Sequence, residues 1–189
     1  MTDSIHVLAF AGSLRVKSVN KALIRAAAAQ APAYVTVSEF DLLGIPLYNG
    51  DVEALGVPAA VQHFRTQLAQ ADALLIACPE YNYSVTGVLK NAIDWASRGY
   101  GPDDPSPLTA KPAAIVGAGG RYGTVRAQSH LRYILLHNDV KVLNKPEVMV
   151  PLARQHFDED LKLTNADTAK LLGQLMEALA AWTRQLQAQ

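Results

Sequence analysis

Along this chain, short runs that are apolar at nearly every position alternate with longer segments in which apolar residues return every three or four positions. The runs "IHVLAFA", "YVTVSEF", "ADALLIAC", "PAAIVG" and "VMV" read as strands. After Ser18, a good N-cap, Val19, Ala22, Leu23, Ala26 and Ala27 fall on one face of a helix that Pro32 ends. Further helices are predicted from about Pro58 to Gln70, from Gly87 to Arg98 with Val88, Leu89, Ala92, Ile93 and Ala96 facing inward, and from Val125 to His137. The last helix is expected to begin near Thr164, where Thr164 and Asp167 form a Thr-x-x-Asp start signal, and to bury Leu172, Leu175, Leu179 and Trp182. Residues 42–58 and the proline-rich 99–110 read as surface loops.

Strands that are apolar on both sides and separated by helices imply a parallel sheet covered on both faces. The length of 189 residues suits one domain, 1–189, and no linker, repeat or low-complexity tract divides it. With 50% hydrophobic and 18% charged residues, the composition is that of a globular protein and excludes a disordered chain. The 17 basic and 17 acidic residues cancel, so no long-range field favours nucleic acid or an anionic membrane, and any anion site must be local. No stretch reaches membrane-spanning length, and the start "MTDSIHVLAF" reads as a first strand, not a signal peptide. The single cysteine, Cys78, cannot form an intramolecular disulfide and is compatible with a reducing cytosol.

Ligands of open parallel sheets sit beyond the carboxyl ends of the strands where the strand order reverses, between strands 1 and 3 for the order 2-1-3-4-5. Three unusual loops fall at the right places: "GSLRVKSVN" after strand 1, "PEYNYSVTG" after strand 3 and "GAGGRYG" after strand 4. In the first, Gly12 permits a sharp turn, Ser13, Ser18 and Asn20 offer short polar groups, Arg15 adds a planar donor fork, and a helix N-terminus follows. Those are the requirements of a phosphate site, although a capped helix with a solvated Arg explains the same residues. The second loop concentrates Tyr81, Tyr83, Asn82 and Glu80 behind Pro79, which suits the face and edge of a flat heteroaromatic ligand or an aromatic interface patch. The third holds Gly117, Gly119, Gly120 and Gly123, allowing backbone close to a planar ring, and does not match the G-x-G-x-x-G of dinucleotide-binding folds.

Other constellations point nowhere comparable. Ser13 lacks the Gly-x-Ser-x-Gly context of a nucleophile, and His130 and His137 have no neighbouring cluster that suggests a metal. Lys90, Asp94 and Trp95 are accounted for by packing and capping on the third helix, from which Lys90 and Asn91 can also reach an interface.

With these residues in view, the chain resembles the NAD(P)H-dependent FMN reductases of flavodoxin-like fold, a group that includes chromate and quinone reductases and some azoreductases. "GSLRVKSVN" is similar to the family's Gly-Ser-x-Arg-x-x-Ser-x-Asn loop, and "PEYNYSVTGVLKNAIDW" to its Pro-Glu-Tyr-Asn-x-Ser signature followed by Leu-Lys-Asn-x-Ile-Asp. The resemblance implies an α/β three-layer sandwich, with a five-stranded parallel sheet in the order 2-1-3-4-5 and helices on both faces. It implies FMN phosphate contacts at Ser13, Leu14, Arg15, Ser18 and Asn20, with Pro79, Glu80, Tyr81, Asn82 and Tyr83 framing the isoalloxazine ring. Gly117, Ala118, Gly119, Gly120 and Arg121 would complete the pocket. It further implies no catalytic side chain and no metal: hydride passes from NAD(P)H to flavin N5 and on to quinone, chromate, azo or free-flavin acceptors in a ping-pong cycle. The expected setting is a cytoplasmic homodimer or homotetramer, with the flavin near a subunit boundary that Tyr83, Arg126 and Glu147 could cross.

Two departures stand out. Thr86 occupies a position where the family usually has proline, and Gly123 is followed by Thr124 where a Gly-Gly pair is common. A flavodoxin-type electron carrier and a flavin-binding regulatory module remain open as other readings; carriers of that kind are usually strongly acidic, and this chain is neutral.

Overall fold

The computed structural model describes residues 4–188. Met1, Thr2 and Asp3, which open the expected first-strand region, and Gln189 lie outside the described residues. The elements in chain order are β1 (Ile5–Ala11), α1 (Val19–Ala29), β2 (Val35–Phe40), α2 (Gly50–Ala54), α3 (Ala59–Gln70), β3 (Ala73–Ala77), α4 (Gly87–Ala96), β4 (Pro112–Ala118), α5 (Val125–His137), β5 (Lys141–Val142), β6 (Val148–Val150) and α6 (Ala166–Gln187).

The strands pair in parallel in the order β2-β1-β3-β4-β5, with β6 also pairing β4. Alternation along β1 shows why its sequence is apolar without a break. Val7, Ala9 and Ala11 pack into one core with α1 and α6, whereas Leu8 and Phe10 pack into a second core with α3, α4 and α5. Phe10 meets Phe64 of α3 edge to face, with ring centroids 5.4 Å apart.

The fifth position in the sheet is divided. β5 pairs the start of β4, with Pro112 opposite Lys141, and β6 pairs its end, with Ala118 opposite Val150. Helix α5 pins both pieces: Arg132 donates to the Leu143 carbonyl (3.1 and 3.2 Å), and the Gln128 Nε2 to the Val148 carbonyl (2.9 Å). Only the "VMV" piece carries a sequence signal, because a two-residue strand has no periodicity.

Three local expectations change. The cap of α6 is Asn165, whose side chain accepts from Thr168 N (2.9 Å), while the Thr164 hydroxyl donates to the His156 carbonyl (3.2 Å). Asn caps as well as Thr, so local chemistry alone does not choose between adjacent candidates. Leu172, Leu175 and Leu179 are buried, but Trp182 is half-buried, its indole N–H donating to the Lys141 carbonyl (2.8 Å). Within residues 42–58 lies the short helix α2, capped by Asn49. This stretch is fastened to α4: Asn91 Nδ2 and Trp95 Nε1 both donate to the Pro46 carbonyl at 2.9 Å, and Tyr48 N donates to Asn91 Oδ1 at 2.7 Å.

Candidate active site

Three loops converge beyond the carboxyl ends of β1, β3 and β4. The first is held by its glycine. Gly12 N donates to the Ala77 carbonyl (3.0 Å), and a Cβ on Gly12 would meet Thr86 Oγ1 at 2.7 Å and Leu89 Cβ at 2.8 Å, so no larger residue fits. The Thr86 hydroxyl donates to the Gly12 carbonyl (2.7 Å) and accepts from Leu89 N (3.2 Å), so one buried group pins the first loop and caps α4. In a trans peptide the N–H points opposite to the carbonyl, and this bond therefore turns the Ser13 N–H away from Thr86.

Ser13, Ser18 and Asn20 are buried, while Leu14, Arg15, Val16 and Lys17 are exposed. Ser18 caps α1 through Lys21 N (3.4 Å), and Ser13 Oγ accepts from Arg15 N (3.4 Å). Among the described residues, the amides of Leu14, Val16, Lys17 and Ser18 find no acceptor in the chain. Asn20 faces the other way: its carboxamide donates to the Ala118 carbonyl (2.9 Å) and accepts from Ala118 N (3.0 Å), tying α1 to the end of β4.

The second loop is a tight hairpin. Tyr81 and Ser84 exchange backbone hydrogen bonds at 3.1 Å, with Asn82 and Tyr83 between them at φ 50° and 66°. Tyr81 and Tyr83 are exposed. Glu80 turns inward to α5, whose own Thr124 makes no side-chain cap. Its carboxylate accepts from Arg126 N (3.0 Å) and Ala127 N (3.2 Å) and pairs with the Arg126 guanidinium (3.0 Å), so the loop after β3 caps the helix after β4. The Arg126 guanidinium lies over Tyr83, 4.0 Å from the ring centroid, and over Tyr122 at 4.6 Å. Glu147, on another loop, pairs with Lys145 (2.9 Å).

In the third loop the glycines divide by role. A Cβ on Gly117 would meet Thr124 Oγ1 at 1.8 Å and the Cys78 carbonyl at 2.8 Å, so this residue serves close packing of β4 against its neighbours. Gly120 would meet nothing within 4 Å and opens on solvent. It forms the wall between two clefts. One, of about 340 Å³, is lined by Glu80, Asn82, Tyr83, Arg121, Tyr122 and Arg126. The other, of about 350 Å³, has Arg15, Lys17 and Arg154 at its rim and Gly119 beside Gly120.

The structure thus brings Arg15 together with Gly119 and Gly120, and Glu80, Asn82 and Tyr83 with Arg121, while Gly117, Ala118 and Asn20 lie in the packed layer beneath. Leu152, Arg154 and Gln155, from the turn after β6, also line the second cleft, although no sequence signal singled them out. The switch-point rule extended to the fifth strand would have pointed to them. Cys78 is fully buried, and burial, aided by the Glu80 charge, pushes its thiol up to about 12, so it is no thiolate nucleophile at neutral pH. Among the described residues, no group of three His, Cys, Asp or Glu side chains could hold a metal.

A parallel sheet in this order, with its clefts at the carboxyl edge beside β1, β3 and β4, defines a flavodoxin-like α/β protein. The NADPH-dependent FMN reductase family matches residues 5–155, and the chain belongs to that family, which makes it an oxidoreductase that works with FMN and a reduced nicotinamide. An NAD(P)H-dependent FMN reductase of Pseudomonas aeruginosa is 51% identical over 98% of this chain and 99% of its own length. A 2-hydroxy-1,4-benzoquinone reductase of a Burkholderia species is 40% identical over 96% and 97%. Among solved structures, the flavoenzyme NAD(P)H:acceptor oxidoreductase FerB of Paracoccus denitrificans superposes with a TM-score of 0.84 at 31% identity, covering 96% of this chain and 98% of that one.

Proposed function

We propose that the chain is an NAD(P)H-dependent quinone reductase that holds FMN across its first three carboxyl-edge loops and serves nicotinamide and acceptor in turn at one cleft. The donor set suits a phosphomonoester. The unpaired amides of Leu14, Val16, Lys17 and Ser18 run through the loop that leads into α1, the Arg15 guanidinium is exposed among them, and the Ser13 and Ser18 hydroxyls add short donors. This unsatisfied, locally cationic cradle in a chain of zero net charge is the observation that carries the reading. The ring would lie over Gly120, where no side chain blocks the approach, between the 79–83 hairpin and Arg121.

Bound FMN supplies two-electron redox chemistry that no side chain here offers. The chain's own residues bind and orient. The exposed backbone around Gly120 and the Arg121 guanidinium would stabilise negative charge on a bound flavin, and Tyr81 and Tyr83 would give apolar faces against which a flat nicotinamide or quinone could lie. Quinones are the favoured acceptors because relatives named as quinone reductases cover nearly the whole chain; chromate, azo and free-flavin acceptors follow from the same open cleft. One shared cleft for donor and acceptor requires a ping-pong cycle. Initial rates with NADPH and a benzoquinone should give parallel double-reciprocal lines, and the purified protein should carry the absorption bands of oxidised flavin. Intersecting lines would overturn the shared cleft, and a protein that takes up no FMN would overturn the whole reading.

A further inference from the structure

We propose that His130, through its hydrogen bond to Ser84, is a positioning residue for the reaction: it fixes the Tyr81–Ser84 hairpin and so sets how tightly the acceptor is held. The inference rests on the quinone-reductase reading above. The hairpin supplies Asn82 and Tyr83 to the cleft of about 340 Å³, beside Gly120 and Arg121. Its shape is not one that its sequence favours. A two-residue turn with both central residues at positive φ ordinarily takes Asn or Asp followed by Gly, and here Asn82 at φ 50° is followed by Tyr83 at φ 66°. The Cβ of a tyrosine disfavours the left-handed region, so this conformation persists only where the surroundings hold it.

Helix α5 does the holding. Glu80, just ahead of the hairpin, accepts from Arg126 N and Ala127 N and so anchors its entrance. The Arg126 guanidinium, held by Glu80 Oε1 at 3.0 Å, lies 4.0 Å from the centroid of the Tyr83 ring at the tip. At the exit, the Ser84 hydroxyl and His130 Nδ1 share a hydrogen bond of 2.9 Å. Arg126 and His130 are four residues apart and therefore lie on one face of α5, so the helix grips entrance, tip and exit together. The three grips differ in what else they do. Glu80 also caps α5, and Arg126 also pairs with Glu80, whereas among the described residues neither Ser84 nor His130 has a second side-chain hydrogen bond or ion pair. His130 is exposed and packs into neither core, so the consequence of its contact is to fix the exit of the hairpin. Without that bond the turn relaxes toward a less strained backbone, and the Tyr83 side of the cleft moves with it.

The test compares His130→Ala, Ser84→Ala, the double alanine variant and His130→Asn, whose carboxamide puts a hydrogen-bonding atom where Nδ1 stands. In the FMN-loaded protein, KM for a benzoquinone should rise about fivefold in each single alanine variant, the equivalent of one neutral hydrogen bond, with kcat within about twofold of wild type. The double variant should be no worse than either single one, and His130→Asn should recover most of the loss. In the flavin-free protein, amide exchange at Tyr81 and Ser84, followed by NMR, should speed up several-fold in the alanine variants and stay near wild type in His130→Asn. Unchanged KM, additive losses in the double variant, or an asparagine variant as impaired as the alanine one would overturn the inference. A lowered melting temperature with KM and exchange unmoved would give the pair a structural role alone and overturn it too. Because exchange is read without flavin, a wild type that takes up no FMN and reduces no quinone refutes the reading above, while faster exchange in the alanine variants still supports the grip of His130 on the hairpin.

Discussion

Asn20 and Arg15 belong to one motif and have opposite fates. Arg15 stands exposed at the rim of a cleft, whereas Asn20 is buried and bonded twice to the backbone of Ala118. Spacing puts both residues in the loop after the first strand, where a phosphate site is expected, but only the approach of α1 to the end of β4 sets what the carboxamide meets. Arg15→Ala should weaken FMN binding about ten- to hundredfold, the equivalent of one charge-assisted hydrogen bond, while thermal unfolding of the apoprotein stays near wild type. Unchanged affinity in a fluorescence titration would refute the assignment. Thr86 makes a finer case, since valine keeps its shape and removes the hydroxyl that holds the Gly12 carbonyl and caps α4. Thr86→Val should cost about 1–2 kcal/mol of stability and weaken FMN several-fold, with Thr86→Ser restoring both. A serine variant as impaired as the valine one would show that shape, not the hydroxyl, matters there.

At the scale of elements, connections between loops and helices carry what periodicity does not describe. The family resemblance puts Glu80 in a loop that frames a flavin ring, and in the structure its carboxylate supplies the cap that α5 lacks. Arg65 is the sharper example, a charged residue on α3 that is only 2% exposed. Its guanidinium donates to the Arg98 carbonyl, pairs with Asp104 at 2.6 Å and stacks on the Tyr100 ring at 4.7 Å, so it organises the 99–110 loop. No pattern marks it, because one Arg on a helix face looks the same whether solvated or enclosed. Arg65→Met should lower the unfolding free energy by about 3 kcal/mol in urea titration and expose the 99–110 loop to proteolysis. A loss below about 0.5 kcal/mol would mean that the enclosed cation contributes nothing net.

For the whole molecule, ion pairs across elements predict an acid limb. Burial raises the Asp41 carboxyl, but hydrogen bonds from Lys21 and Leu43 N outweigh that and hold it below its ordinary 3.8. Glu53 behaves alike: desolvation raises it, and Arg98, Tyr48 and Tyr100 bring it below 4.5. Both groups titrate lower folded than unfolded, so the stabilisation they give is complete above those ordinary values and is lost as pH falls through the folded ones. The melting temperature should fall by a few degrees at most from these two groups as pH drops below about 4, and the double variant Asp41→Asn/Glu53→Gln should remove that part of the limb. An unchanged slope in the double variant would place the acid sensitivity elsewhere.

Element type and order were legible because a parallel sheet buried on both faces leaves its strands apolar throughout and its helices one-sided, a signal local to each segment. The polar and glycine-rich loops after β1, β3 and β4 were legible because turn geometry and helix capping select residue types locally. What the tertiary structure alone decided were the relations between distant segments: the fifth strand divided between β5 and β6, Glu80 capping a helix it does not belong to, and the turn after β6 brought to the same cleft as the loop after β1. Such contacts depend on how helices and loops settle over the sheet, and short-range preferences carry no information about partners a hundred residues away.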